Sequence, residues 1–251
     1  MAETVLNLHS GGHLVTYEEL KAVPTPVASG RWHPVGHSTV LDTVVGTLTG
    51  AGYTVKSQAL ALARDGKRFF GTIDLSTPLS EGVALAVGIR NSIDKSFPLA
   101  FAAGARVFVC SNLSFTAELL VKRKHTRLAV GRWNNEIGGA VQRLPSFAQA
   151  EEARITRLKE LMLTDDQALA LMVRAVEKHV IAAQVIPKIL TEWRTPTHDY
   201  GTGDRPTAWR LLNSFTTILG KRAVSNPTEY AGQTIRLNGL MLPETPALVA
   251  A

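Results

Sequence analysis

Cysteine is almost missing from this chain: Cys110 is the only one in 251 residues. An internal disulfide and a thiolate metal cage are therefore both excluded. Long hydrophobic runs are missing too. The longest, such as Val107–Cys110, are strand-sized and far short of the ~18 apolar residues that a membrane span needs. Met1–Leu20 has neither a basic n-region nor an apolar h-region, so no secretion signal is expected and a reducing cytosol is the expected compartment. There is no Walker A loop, no Gly-x-Gly-x-x-Gly and no Gly-x-Ser-x-Gly elbow, which leaves the common nucleotide-dependent and hydrolase chemistries without support. The histidines (His9, His13, His33, His37, His125, His179 and His198) are scattered without metal-ligand spacing, and His33 and His37 merely flank Pro34 in a loop. Neither a metal nor a cofactor is expected.

What the chain does have is positive charge, concentrated in one place. The formal net charge is +6. Between Arg90 and Arg132 lie eight cations, Arg90, Lys95, Arg106, Lys122, Arg123, Lys124, Arg127 and Arg132, against Asp94 and Glu118, so this segment alone carries 8 − 2 = +6. Such an excess favours an anionic partner and says nothing about the fold.

The hydrophobic pattern predicts an α+β fold: a mainly antiparallel sheet with packed helices, followed by a helical C-terminal region. Residues 1–37, punctuated by Pro24, Pro26 and Pro34, read as an irregular leader. From Ser38 the residues Val40, Leu41, Val44, Val45 and Leu48 recur at helical spacing, with Gly50 and Gly52 as the stop. Residues 53–63 alternate, the Asp65-Gly66 turn follows, and residues 68–75 resume as the second arm of a hairpin, with a third strand at 83–89. Ser96 with Pro98 predicts a short helix ended by Gly104, residues 106–110 a buried strand, and 118–125 another strand. The α+β unit is expected over residues 38–146. From Phe147 the period becomes 3.6, with a capping box at Thr164-Asp165-Asp166-Gln167, a helix opened by Pro187, and a last helix carrying Trp209, Leu212, Phe215 and Leu219 with Gly220 as its stop. Residues 147–251 are thus expected to be a helical region with an irregular tail.

Two stretches are candidates for binding. The polar run from Gly88 to Ser96 reads either as loop polarity and helix capping, or as a strand end and helix start where backbone N–H groups, Arg90, Lys95 and Ser96 meet phosphate. Lys122, Arg123 and Lys124 read either as a solvated edge strand or as a phosphate-tracking stripe continued by Arg127, with Phe97, Phe115 and Trp133 as stacking platforms. Asp65, Asp74 or Asp94 with His125 is the alternative, a magnesium nuclease site. Cys110, inside an apolar strand, reads as a buried hydrophobe.

Three separated motifs carry a family resemblance: Gly88-Ile89-Arg90-Asn91-Ser92-x-Asp94-Lys95-Ser96, Val107-Phe108-Val109-Cys110-x-Asn112 and Arg123-Lys124-His125-Thr126, with a late Ala208-Trp209-x-Leu211-x-Asn213-x-x-Thr216 helix. In this order they resemble the phage/plasmid-like family called domain of unknown function 932, over roughly residues 20–240. The resemblance implies a mobile-element gene in a bacterial or phage genome, hence a bacterial cytoplasm, and no reaction. The order of elements is also similar to the core of single-strand annealing proteins of phage and eukaryotic recombination. The expected function is binding or annealing of single-stranded DNA in replication or recombination, without covalent chemistry and with a homo-oligomer as a possible form. The alternatives are a metal-dependent nuclease around Asp94 and His125, or an interaction protein that uses its basic face to inhibit a host defence complex.

Overall fold

The structure is a computed structural model describing residues 12–107, 112–223 and 227–241, with the side chains of 112, 113, 115–118, 221–223, 227, 228 and 231 left aside. Its centre is a six-stranded sheet in sequence order, every neighbouring pair antiparallel. The strands are β1 (His13–Val15), β2 (Val55–Ala63), β3 (Arg68–Ser80), β4 (Val83–Ser92), β5 (Leu99–Val107) and β6 (Asn112–Arg123). Around it lie α1 (Tyr17–Lys21), α2 (His37–Gly50), α3 (Ala129–Glu160), α4 (Asp165–Glu177), α5 (Ile186–Arg194), α6 (Ala208–Ala223) and α7 (Pro227–Leu240).

Local chemistry explains much of this. The β2–β3 hairpin turns at Arg64, Asp65 and Gly66, all at positive φ (53°, 53° and 76°), which is the backbone that an Asp-Gly turn supplies. At α1, the Thr16 hydroxyl accepts from the Glu19 amide and the Glu19 carboxylate accepts from the Thr16 amide; Thr164 and Gln167 repeat this capping box at α4. α2 buries Val40, Leu41, Val44 and Leu48, the expected apolar face, although its N-cap is Gly36 and not Ser38.

One face of the sheet is the core face. Leu60, Leu62, Phe69, Ile73, Leu85, Val87, Phe101 and Val121 belong to a single buried cluster that continues into α2, α3 and the C-terminal helices. The other face carries many small residues: Ala59 and Ala61 of β2 cluster with Phe70 of β3 under Phe97, and Ala102 of β5 and Ile235 of α7 pack against Ala86 of β4. Among the described residues no helix is long and apolar enough to cross a membrane.

Four expectations need correction. Residues 96–104 are not a helix: Leu99–Val107 is β5, a central strand. Its alanines favour helix by propensity, but Leu99, Phe101, Ala103, Ala105 and Val107 alternate into the core while Ala100, Ala102, Gly104 and Arg106 face the other way, and tertiary pairing overrides propensity. Helical structure begins at Ala129 and not at Phe147, with Trp133, Ile137, Val141 and Leu144 already on the buried stripe; Gly131, Gly138, Gly139 and Pro145 obscure that period, and Pro145 sits on an exposed flank. Among the described residues before 38, His13–Val15 is β1 and Tyr17–Lys21 is α1, so that part of the stretch is regular. Gly220 lies inside α6 and does not end it, and α7 follows. Cys110 and the expected 108–110 part of its strand lie outside the described residues.

Candidate nucleic-acid interface

Cross-strand register builds the site. Residues paired across a sheet point to the same face, and the pairs Leu14 with Ala61, Ala61 with Phe70, Phe70 with Arg90, Arg90 with Ala100, and Ala100 with Lys122 form one continuous row across all six strands. The row lies on the small-residue face, away from α2 and α3. Its two ends, Leu14 and Lys122, are exposed. One pair further out on the same face, Arg68 of β3 stands opposite Ser92 of β4.

The β4–β5 connection folds over this end of the face. The Ser92 hydroxyl donates to the Phe97 carbonyl at 2.7 Å and accepts from the Phe97 amide at 3.1 Å, which pins the aromatic residue in place. The Phe97 ring lies 5.5 Å from the Phe70 ring, and the guanidinium groups of Arg90 and Arg68 stand 5.2 and 5.8 Å from its centroid. Arg68 donates to the Asp94 carboxylate at 3.1 Å and to the Ser96 hydroxyl at 2.9 Å. Partial burial works to raise the Asp94 carboxyl, but hydrogen bonds from Ser96 and Arg68 outweigh it and hold the group below its ordinary value.

Arg90 differs from every other cation of the basic segment. It is half-buried, and loss of solvent pushes its guanidinium below the ordinary arginine value. Its Nε is buried without a hydrogen-bond partner, and among the described residues it has no carboxylate ion pair. A desolvated cation with an unsatisfied donor costs folding free energy unless an anion arrives.

The remaining expected site residues separate into distinct roles. Lys122 is exposed in the row; Lys124 and Arg127 are exposed beyond β6. Arg123 pairs with Leu99 on the core face and is bonded to Glu136 of α3, so the three basic residues are not one stripe. Lys95 has a left-handed backbone, φ 66°, and its ammonium lies 4.9 Å over the Trp32 ring. Ser96 is occupied by Asp94 and Arg68 and stands in a connection, with no helix start behind it. Trp133 is 0% exposed within α3 and is a core residue, not a stacking platform. The side chain of Phe115 lies outside those described.

The acid–base candidates are also in place elsewhere. Asp74 and Arg106 form a buried ion pair joined by Ser57 and Thr72. His125 is buried and its Nδ1 accepts from the Val35 amide at 3.2 Å; burial lowers its pKa. His37 is buried between the Gly66 carbonyl, at 2.9 Å from Nε2, and Asn91, at 3.0 Å from Nδ1. Among the described residues no group of three or more His, Cys, Asp or Glu side chains stands close enough to hold a metal ion. The sequence reading missed Leu14, Arg68 and Phe70. The signal for two of them was present, because strand alternation puts Arg68 and Phe70 on one face and the Asp-Gly turn sets them opposite Ala63 and Ala61.

In comparison with known proteins, the family model described as Domain of unknown function (DUF932) matches residues 25–241. No curated protein and no solved structure matches the chain significantly.

Proposed function

Because the chain belongs to the DUF932 family, whose description names no reaction, we propose a function from the sheet face: non-covalent binding of single-stranded nucleic acid, with DNA as the favoured polymer. The observation that carries this reading is Arg90, a half-buried guanidinium without a carboxylate among the described residues, resting on Phe97 and in register with exposed Lys122. Arginine beside aromatic rings is suited to a phosphate backbone with stacked bases. Such contacts position phosphates and read no base edges, so binding is expected to be indifferent to sequence.

The test is a titration of fluorescein-labelled dT30 and of a 30-base-pair duplex by anisotropy at ~50 and ~200 mM NaCl, with and without magnesium, since salt dependence measures phosphate contacts. The reading expects salt-sensitive binding of dT30 and intact oligonucleotide throughout. Cleavage in magnesium would replace it with a nuclease. A protein that binds neither oligonucleotide would leave the basic face to a protein partner.

A further inference from the structure

We infer that the bound strand crosses the sheet roughly perpendicular to the β-strands, from Lys122 on β6 over Arg90 toward Leu14 on β1; this rests on the nucleic-acid reading above. Two observations set the direction. A path along the strands is closed, because Ile235 of α7 packs on Ala86 only a few residues from Arg90, and beyond it the charge of Arg106 is neutralised by buried Asp74. Across the strands both ends are exposed, Lys122 at one and Leu14, 53% exposed and in register with Arg90, at the other; between them Ala61, Phe70 and Ala100 are buried, Phe97 packs on the Ala61 and Phe70 cluster, and the strand passes over Arg90 and the Phe97 ring. At a strand spacing of ~4.8 Å, the five steps from Leu14 to Lys122 span about 24 Å, enough for a short oligonucleotide.

The inference distinguishes positions that have no contact with one another. Each phosphate contact contributes ~0.7 to the logarithmic salt slope for a single strand, so removing one cation reduces the loss of affinity between ~50 and ~200 mM salt by about threefold. Arg90→Gln and Lys122→Gln are each expected to flatten the slope by that amount. Arg143→Gln, on the helical side of the sheet, is expected to leave it unchanged. The decisive variant is Leu14→Lys, at the far end of the row, where the side chain is already exposed and the fold tolerates a cation. It is expected to steepen the dT30 slope by one contact and to tighten binding at low salt, while Leu14→Glu weakens it.

The outcomes separate. If the parent protein does not bind dT30, the nucleic-acid reading fails and this inference falls with it. If the parent binds and Arg90→Gln flattens the slope but both Leu14 variants behave like the parent, nucleic-acid binding stands and the crossing path is overturned. If Arg143→Gln flattens the slope and Lys122→Gln does not, the strand lies on the helical side and the crossing path is again overturned. Lys122 and Leu14 are exposed, so folding of these variants, checked by thermal melts, does not confuse the result.

Discussion

Acid should unfold this protein through His37 before its carboxylates titrate. His37 is 2% exposed, and burial pushes its pKa down from 6.5 to about 4, against the smaller opposing pull of its hydrogen bond to the Gly66 carbonyl. The charged groups that act on it are His125, which disfavours the imidazolium, and Asp94, which favours it. With Nε2 donating to Gly66 and Nδ1 facing the Asn91 amide group, a proton on Nδ1 has no acceptor. The unfolded chain binds this proton at ordinary pKa, whereas the folded chain refuses it until about pH 4. His37 therefore leaves stability untouched above pH 6.5, and stability falls as pH drops from 6.5 toward 4, by about 2 kcal/mol at pH 5 and about 3 kcal/mol in full. His125, lowered by burial, adds in the same direction.

The assay is urea unfolding at a series of pH values from 5 to 6.5, for the parent and for His37→Gln. A single refused proton contributes a slope of up to about 1.4 kcal/mol per pH unit in this window. The variant is expected to lose that slope whatever its absolute stability, retaining only the part due to His125. If His37→Gln keeps the parent's pH slope, the buried neutral histidine is not the source of the acid lability and the reasoning is refuted.

Three other perturbations follow from the partners of the basic residues. Arg90→Met, which keeps a long side chain and removes a desolvated charge, is expected to leave the urea midpoint unchanged or raise it while weakening dT30 binding; a large loss of stability would show that Arg90 is structural. Lys122→Glu is expected to leave the melting temperature nearly unchanged, whereas Arg123→Glu sets two carboxylates together at Glu136 and is expected to lower it, a contrast that thermal melts of the two variants resolve. Asp74→Asn removes the carboxylate that neutralises the buried Arg106 guanidinium and is expected to cost about 3 kcal/mol in urea unfolding.

The parts of the fold legible in the sequence are those where local chemistry and tertiary packing agree. The Asp65-Gly66 turn, the Val40–Leu48 stripe and the Thr164 capping box each act within a few residues, and each stands where the pattern puts it. β5 was misread because Leu99–Val107 is rich in alanine: its strand identity comes from β4 on one side and β6 on the other, partners that no local window contains. The start of α3 was hidden for a different reason. Its first half carries three glycines and a proline at positions where the core stripe does not need side chains, so propensity argued against a helix that packing by Trp133, Ile137 and Leu144 holds together.

The site was legible as charge and illegible as geometry. Segment 90–132 does hold Arg90 and Lys122 of the candidate face, though not Arg68, and its net +6 overstates what can meet a ligand, because Arg106 is committed to Asp74 and Arg123 to Glu136. Both acceptors, Asp74 and Glu136, lie outside the segment, so a running count of charge cannot pair them. Conversely, Arg90, Phe70 and Leu14 are far apart in sequence and become neighbours in a row only once every strand pairing is known. A cation's role in binding is therefore decided by which face its register gives it and whether a carboxylate is already there. Of the arginines in strands β3 to β6, Arg68, Arg106 and Arg123 each have a carboxylate and Arg90 has none among the described residues, which is why the binding hypothesis rests on that one residue and stands or falls with its substitution.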